Sequence, residues 1–276
     1  MNSRLKESLR PAARLAVRCL EVATGFKTDP EGYLPNRWRM VTGSYEPDVI
    51  GRMRKHLPPG GVFVDIGANV GYVSRALAGR CGADGTIRAF EPNPKVFRLL
   101  EENLRKFPQA KTFNLALGNQ AGELPFYVGW DSCVGSLVAG YNEGHHGADK
   151  SGVIEKVIVK VQRGDDALAS LPKIDVLKLD VEGYEMEVLR GLGGKLERQE
   201  IGQIYFEYRP FAQQCAGTPP TELLHFFLER KYAIFGVEGA FADQPVTTTN
   251  MGAFSETLPG ASYTTLRAAP GGLSAE

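Results

Sequence analysis

The sequence predicts an α/β fold built on a mostly parallel sheet with helices on both faces, and three observations predict it. Val62-Phe63-Val64-Asp65-Ile66 is an apolar, partly β-branched run that enters Gly67-Ala68-Asn69-Val70-Gly71 and passes directly into a helical pattern from Tyr72 to Ala78. That is strand, tight turn, helix. The alternation of strand and helix recurs along the chain, as βαβ units require. Acidic or amide residues (Asp65, Glu91 and Asn119) close the first three strands, and the carboxyl ends of strands are where ligands of such sheets bind.

In chain order, residues 1 to about 24 place Leu5, Leu9, Ala13, Ala16 and Leu20 at helical spacing among Arg4, Lys6, Arg10, Arg14 and Arg18. Such a basic amphipathic helix packs on its own domain or on a second subunit in a homodimer, or makes peripheral contact with an acidic membrane surface. Residues 25–44, with Gly25, Pro30, Gly32 and Pro35, read as irregular, so 1–44 is expected to form an N-terminal helical extension or lid. Glu46 to His56 reads as a helix stopped by Pro58-Pro59-Gly60-Gly61. Thr86 to Phe90 is a second strand ending in Glu91, and Pro94 to Phe107 a helix with Val96, Leu99, Leu100, Asn103 and Leu104 facing inward. A third strand is expected from Thr112 to Leu117, closing at Gly118-Asn119.

The alternation then breaks. Leu124 to Val128 and Val157 to Val161 read as a strand pair around an insertion, 129–156, whose length and polarity mark it as functional or disordered. Ile174 to Asp180 is a further core strand, followed by Val181-Glu182-Gly183-Tyr184 and a helix to about Leu192. Ile201 to Tyr208 is a strand, Pro220 to Arg230 a helix, and Tyr232 to Val237 with Ser262 to Arg267 an antiparallel hairpin. One domain over 45–268 and a flexible tail over 269–276 follow.

Composition narrows the classes. A chain of 276 residues with 43% hydrophobic content can bury a large core. Its 32 basic and 32 acidic residues cancel, so nucleic acid is not an expected partner. Four scattered cysteines without a C-x-x-C pair suggest neither a zinc site nor a disulfide framework, and a reducing, cytoplasmic setting is expected. No apolar run has the length of a transmembrane segment.

The turn after the first strand narrows the ligand. Counting from Gly67, a G-x-G-x-x-G fingerprint needs glycines where Asn69 and Tyr72 stand, and no G-x-x-x-x-G-K-[ST] is present. Glu91, closing the second strand, is placed to accept hydrogen bonds from both hydroxyls of a ribose. The cradle therefore suits a nucleoside without a pyrophosphate.

Four blocks together carry a resemblance: Phe63-Val64-Asp65-Ile66-Gly67-Ala68-Asn69-Val70-Gly71, Ala89-Phe90-Glu91-Pro92-Asn93-Pro94, Leu115-Ala116-Leu117-Gly118-Asn119, and Leu177-Lys178-Leu179-Asp180-Val181-Glu182-Gly183-Tyr184-Glu185. Over roughly 45–210 the chain resembles the FkbM family of S-adenosylmethionine-dependent methyltransferases. The resemblance implies a class I, Rossmann-like fold with a seven-stranded sheet and one antiparallel strand. It also implies O-methylation of a hydroxyl on a saccharide, glycolipid or related natural product. By the same resemblance Asp65, Gly67, Asn69 and Gly71 would hold the methionine part of the cofactor and Glu91 its ribose. Asn93 and the turn Leu117-Gly118-Asn119 would lie beside the adenine, and Asp180 nearest the sulfonium.

For the base that takes the acceptor's proton, the candidates are Glu182, then Asp180, His145 or His146, and Glu207. Asp180, Glu182 and Glu207 also form a set that suits Mg²⁺, although the resemblance does not require a metal and none is assigned. Methylation of a nitrogen or a nucleic-acid base, or a silent binding protein on the same fold, are the alternatives.

Overall fold

The computed structural model describes residues 3–141, 152–258 and 262–271. Helix α1 (Ser3–Thr24) leads into α2 (Leu34–Thr42) and α3 (Pro47–His56), and the first core unit is β1 (Val62–Ile66), α4 (Tyr72–Cys81), β2 (Thr86–Phe90), α5 (Pro94–Leu104) and β3 (Ala110–Phe113). Then come β4 (Ala116–Gly118), β5 (Gly122–Val128), β6 (Glu155–Arg163), α6 (Gly164–Ala167), β7 (Ile174–Leu179), α7 (Glu185–Gly191), α8 (Gly193–Glu197) and β8 (Ile201–Tyr208). The chain closes with α9 (Pro210–Cys215), α10 (Pro220–Glu229), β9 (Tyr232–Gly236), β10 (Pro245–Val246), α11 (Met251–Glu256) and β11 (Thr264–Pro270).

The main sheet has the order β10-β9-β11-β8-β7-β1-β2-β3. Strands β3, β2, β1, β7 and β8 run parallel, while β11 inserts antiparallel between β8 and β9. This is the class I methyltransferase arrangement, widened from seven strands to eight by the two-residue edge strand β10. Because side chains alternate across a strand, Val64, Ile66, Leu177, Leu179, Ile204 and Phe206 pack against α7, α10 and α11 on one face. Phe63, Val176 and Tyr205 pack against α3 and α4 on the other. Register sets Asp65 opposite Lys178 on adjacent strands of that second face, an acid and a base inside an otherwise apolar layer.

The structure corrects several expectations. The segment 25–44 is irregular over 25–33 as expected but helical beyond it: Pro35 sits in the first turn of α2, where a missing N–H costs nothing, and Gly43 ends the helix in the left-handed conformation (φ 77°). The expected third strand, Thr112 to Leu117, is two strands in two sheets. Asn114 Nδ2 donates to the carbonyls of Glu91 and Pro92 (2.9 Å each) and turns the chain away from the main sheet. Strand β4 then joins a separate three-stranded sheet, β4-β6-β5, so Asn119 does not close a strand of the main sheet. Leu99 is only half-buried. The expected antiparallel pairing of the last two predicted strands is present as β9 and β11, but the final strand runs further than expected: Ala269 and Pro270, assigned to a tail, belong to β11.

The N-terminal extension packs on the site-forming loop itself. Val17 of α1 shares a buried cluster with Met40 and Val41 of α2, Phe26, Val70 of the β1–α4 turn and Val96 of α5. Among the described residues no helix is long and apolar enough to cross a membrane.

Candidate active site

The carboxyl ends of β1, β2, β7 and β8 converge on a cavity of ≈ 240 Å³, closed on one side by α2 and the α2–α3 junction and on another by residues 132–137 of the insertion. The turn after β1 is fixed first. Gly67 (φ 78°) leaves no room for a side chain, since a Cβ there would lie 1.8 Å from the Asp180 carbonyl oxygen. Gly71 (φ 81°) would likewise drive a Cβ into Leu100. Gly67 and Ala68 N–H donate to the Phe90 carbonyl (3.1 and 2.9 Å), which ties the turn to the end of β2.

Glu91 is buried at that end. Its Oε2 accepts from Asn69 N–H (3.0 Å) and its Oε1 from Asn93 N–H (2.8 Å). Burial still pushes its carboxyl up to about 7, with the two N–H bonds opposing the shift. Asn93 otherwise caps α5, accepting from Lys95 N–H, and does not line the cavity.

Lys178, inside the apolar strand β7, is the central cation. Its Nζ lies 2.9 Å from Asp180 Oδ2 and 4.0 Å from Asp65 Oδ1. Burial opposes its charge, but Asp180, Asp65 and Glu46 outweigh burial and hold its pKa above the usual lysine range. Asp65 is fully buried, accepts from Ser74 Oγ (2.6 Å) at Oδ2, and has no hydrogen-bond partner at Oδ1. It braces the loop and Lys178 from beneath and is not among the lining residues; burial raises its pKa.

At the far end, Asp180, Glu182 and Glu207 bring carboxylate oxygens within 4.8 Å of one another. Arg209 binds two of them, Nη2 to Glu207 at 2.8 Å and Nη1 to Glu182 at 3.3 Å, and also donates to Tyr141 Oη. Tyr141 in turn donates to Glu182 Oε2, and Ser136 Oγ donates to the Glu182 carbonyl (2.6 Å), so the insertion is strapped to the site. Burial raises Glu182 to about 8, with Asp180 adding to it and Arg209 opposing; burial and the Glu182 charge hold Glu207 well above the carboxylate range. Glu46, at the start of α3, is pushed by burial to about 7.

Of the residues singled out from sequence, Gly67, Asn69, Glu91, Leu117, Asp180, Glu182 and Glu207 line the cavity. Asp65, Gly71, Asn93, Gly118 and Asn119 do not; the first three shape residues that do. His145 and His146 lie outside the described residues. Sequence reasoning missed Glu46, Lys178, Tyr141 and Arg209. Lys178 alone carried a local signal, a single cation in an apolar run.

Residues 65–234 match the family model described as the methyltransferase FkbM domain, more than half of the chain. The chain belongs to the FkbM methyltransferase family.

Relatives agree with that placement. Hexuronic acid methyltransferase AglP of Haloferax volcanii is 29% identical over 197 residues, 70% of this chain and 72% of the relative. Methyltransferase sdnD of Sordaria araneosa is 32% identical over 50% of this chain and 62% of its own. The 2-O-methyltransferase NoeI of Sinorhizobium fredii is 28% identical over 54% and 64%. The chain thus spans somewhat less than two thirds of the latter two. Among solved structures, a TehB-like S-adenosylmethionine-dependent methyltransferase from Corynebacterium glutamicum superposes over 85% of this chain and 94% of that one, with 10% identity and a TM-score of 0.45.

This FkbM methyltransferase is S-adenosylmethionine-dependent, and the cavity's donor set fits that cofactor. Five lining carboxyl groups (Glu46, Glu91, Asp180, Glu182 and Glu207) and two cations (Lys178 and Arg209) supply the oxygen acceptors and the ionic partners that a ligand carrying ribose hydroxyls and an amino-acid end needs. Glu91 keeps acceptor capacity beyond its two backbone donors, as the paired hydroxyls of a ribose need.

Proposed function

We propose that this FkbM methyltransferase methylates a hydroxyl of a saccharide, glycolipid or related natural product. The observation that carries this reading is the cluster of Asp180, Glu182 and Glu207 within 4.8 Å, at the same cavity as Glu91. The names of the relatives support it, since AglP is a hexuronic acid methyltransferase and NoeI a 2-O-methyltransferase.

In this reading Gly67 and Asn69 hold the methionine part, with Asp65 and Gly71 fixing their loop. Glu91 holds the ribose, and Leu117, with Gly118 and Asn119 behind it and Asn93 shaping the turn beside it, flanks the adenine. When bound, S-adenosylmethionine supplies a methyl carbon already activated for displacement. The protein's own task is to orient the acceptor oxygen and to take its proton.

Glu182 is the best-placed acceptor of that proton. Its neutral form is favoured by burial and by Asp180, while Tyr141 and Arg209 fix the carboxylate's position. Glu207 shares Arg209 and titrates with Glu182 as a pair. No Mg²⁺ is assigned to the three carboxyl groups: Lys178 and Arg209 already face them, and burial raises Glu182 and Glu207 so that the cluster carries less than its full charge.

Calorimetry with S-adenosylhomocysteine tests the cofactor half; absence of binding removes the reading. Turnover against a panel of glycosides and polyketide alcohols tests the acceptor half. Transfer to amines alone would replace oxygen by nitrogen.

A further inference from the structure

Helix α1 gives one face to the fold and leaves the other bare. Val17 is fully buried beside Met40 and Val41 of α2, and Leu20 packs against the same cluster. The opposite face carries Ala12, Leu15, Cys19 and Val22, all exposed, with Leu15 at 63% and Val22 at 85%. Steps of three, four and three residues align them as one stripe along the helix. Arg14 and Arg18, also exposed, run along one border of that stripe. The helix's acid in this region, Glu21, is turned inward: it accepts from Thr28 N–H (3.0 Å) and faces Arg37 at 3.4 Å. Over residues 1–24 the sequence holds five cations (Arg4, Lys6, Arg10, Arg14 and Arg18) against two acids (Glu7 and Glu21).

We propose that this face of α1 docks on an anionic phospholipid bilayer, with Leu15, Cys19 and Val22 entering the acyl boundary and Arg14 and Arg18 at the headgroup phosphates. A bare apolar stripe bordered by charge of one sign is the pattern of a helix lying in the interface plane. Charge decides between the candidate occupants. A second copy of this chain meeting the same stripe would bring Arg14 and Arg18 against a like set, with no acid among the described residues of that face to answer them. A surface of phosphates answers them directly. The docking helix stands one helix from the cavity, because α2, which packs on α1, also contributes Asn36 and Met40 to the cavity wall.

The test is flotation of the full chain with unilamellar vesicles of phosphatidylcholine alone and of phosphatidylcholine containing about one third phosphatidylglycerol. The chain is expected to float with the anionic vesicles and to remain behind with the neutral ones, and added salt should weaken binding. The double variant Leu15→Ser with Val22→Ser should lower partitioning at least about tenfold. Arg14→Ser with Arg18→Ser should lower it as well. Both should leave S-adenosylhomocysteine affinity at the wild-type value, which shows that the fold and the cavity persist. No flotation with anionic vesicles overturns the proposal, as does flotation that survives Leu15→Ser with Val22→Ser. A dimer seen by light scattering and abolished by that double variant would assign the face to a second copy instead. Failure of the wild type to bind S-adenosylhomocysteine would count against the proposed function and leave the vesicle result to stand separately.

Discussion

Replacing Glu91 by glutamine should strengthen the fold at alkaline pH while weakening the cofactor. The carboxyl is only 6% exposed and burial pushes it from its ordinary 4.5 up to about 7. A carboxyl raised in the folded state adds stability that is fully present below pH 4.5 and lost as pH rises towards 7, because over that window the folded chain holds the proton more tightly. The loss for this one group is about 3 kcal/mol from 1.36 kcal/mol per pKa unit. The glutamine amide cannot ionise, so the variant escapes that loss. It must, however, turn an N–H₂ towards either Asn69 N–H or Asn93 N–H, both of which now donate to the carboxylate; that conflict costs about 1–3 kcal/mol at every pH. Glu91→Gln should therefore be less stable than wild type at pH 5 and recover by about 2.5 kcal/mol relative to it between pH 5 and pH 8. Urea unfolding at the two pH values measures the difference. S-adenosylhomocysteine should bind roughly 10- to 100-fold more weakly at pH 8, since the variant loses charged acceptor capacity for the ribose, and the gap should narrow at pH 5, where the wild-type carboxyl holds its proton. A variant equally destabilised at pH 5 and pH 8 would refute the buried-carboxyl account, and unchanged affinity would refute the ribose role.

Three further outcomes follow from the same geometry. Glu182→Gln should lower kcat about 100-fold or more and leave S-adenosylhomocysteine affinity unchanged; in the wild type, kcat/KM should rise with pH through about 8, as the carboxylate forms, and that limb should vanish in the variant. Lys178→Met leaves the fully buried Asp65 and the half-buried Asp180 without their cation and should cost about 3–5 kcal/mol in urea unfolding, with part of the loss restored when Asp65→Asn is added. Treatment with a chelator should leave turnover unchanged, because Arg209 and Lys178 already face the three carboxylates; inactivation reversed by Mg²⁺ would show that an ion displaces Arg209.

The βαβ frame was legible because its causes are local. Strands β1, β2, β7 and β8 are apolar runs bounded by turn chemistry, and the acids that end them stand out against those runs. Two failures share a different cause: a residue whose meaning depends on its neighbours in space. Pro35 reads as a breaker but opens a helix, since only the position within the first turn decides which role proline takes. Thr112 to Leu117 offers no apolar break beyond Asn114, whose amide reaches two carbonyls on the β2–α5 turn and sends the chain to a second sheet.

The site divides along the same line. Glu91 and Asp180 could be found because each closes a strand that the sequence reveals. Glu46 and Arg209 reach the cavity from the α2–α3 junction and the end of β8, Tyr141 of the insertion holds Glu182 from behind, and none announces its partner in sequence. A weaker signal does survive in the backbone. Six non-glycine residues with positive φ occur among the described residues, and three of them, Glu46 (46°), Asn69 (50°) and Glu182 (55°), line the cavity. Glycine would hold each of those conformations with less strain, of order 1 kcal/mol per residue. A side chain kept there against local preference must contribute something glycine lacks, and at these three positions that is a carboxylate or amide at the cavity. The same reasoning separates Glu182 from Gly183 beside it: Gly183 also has positive φ (99°), with Ala212 packed too closely for a Cβ to fit easily, so one residue of the turn satisfies sterics and the other chemistry.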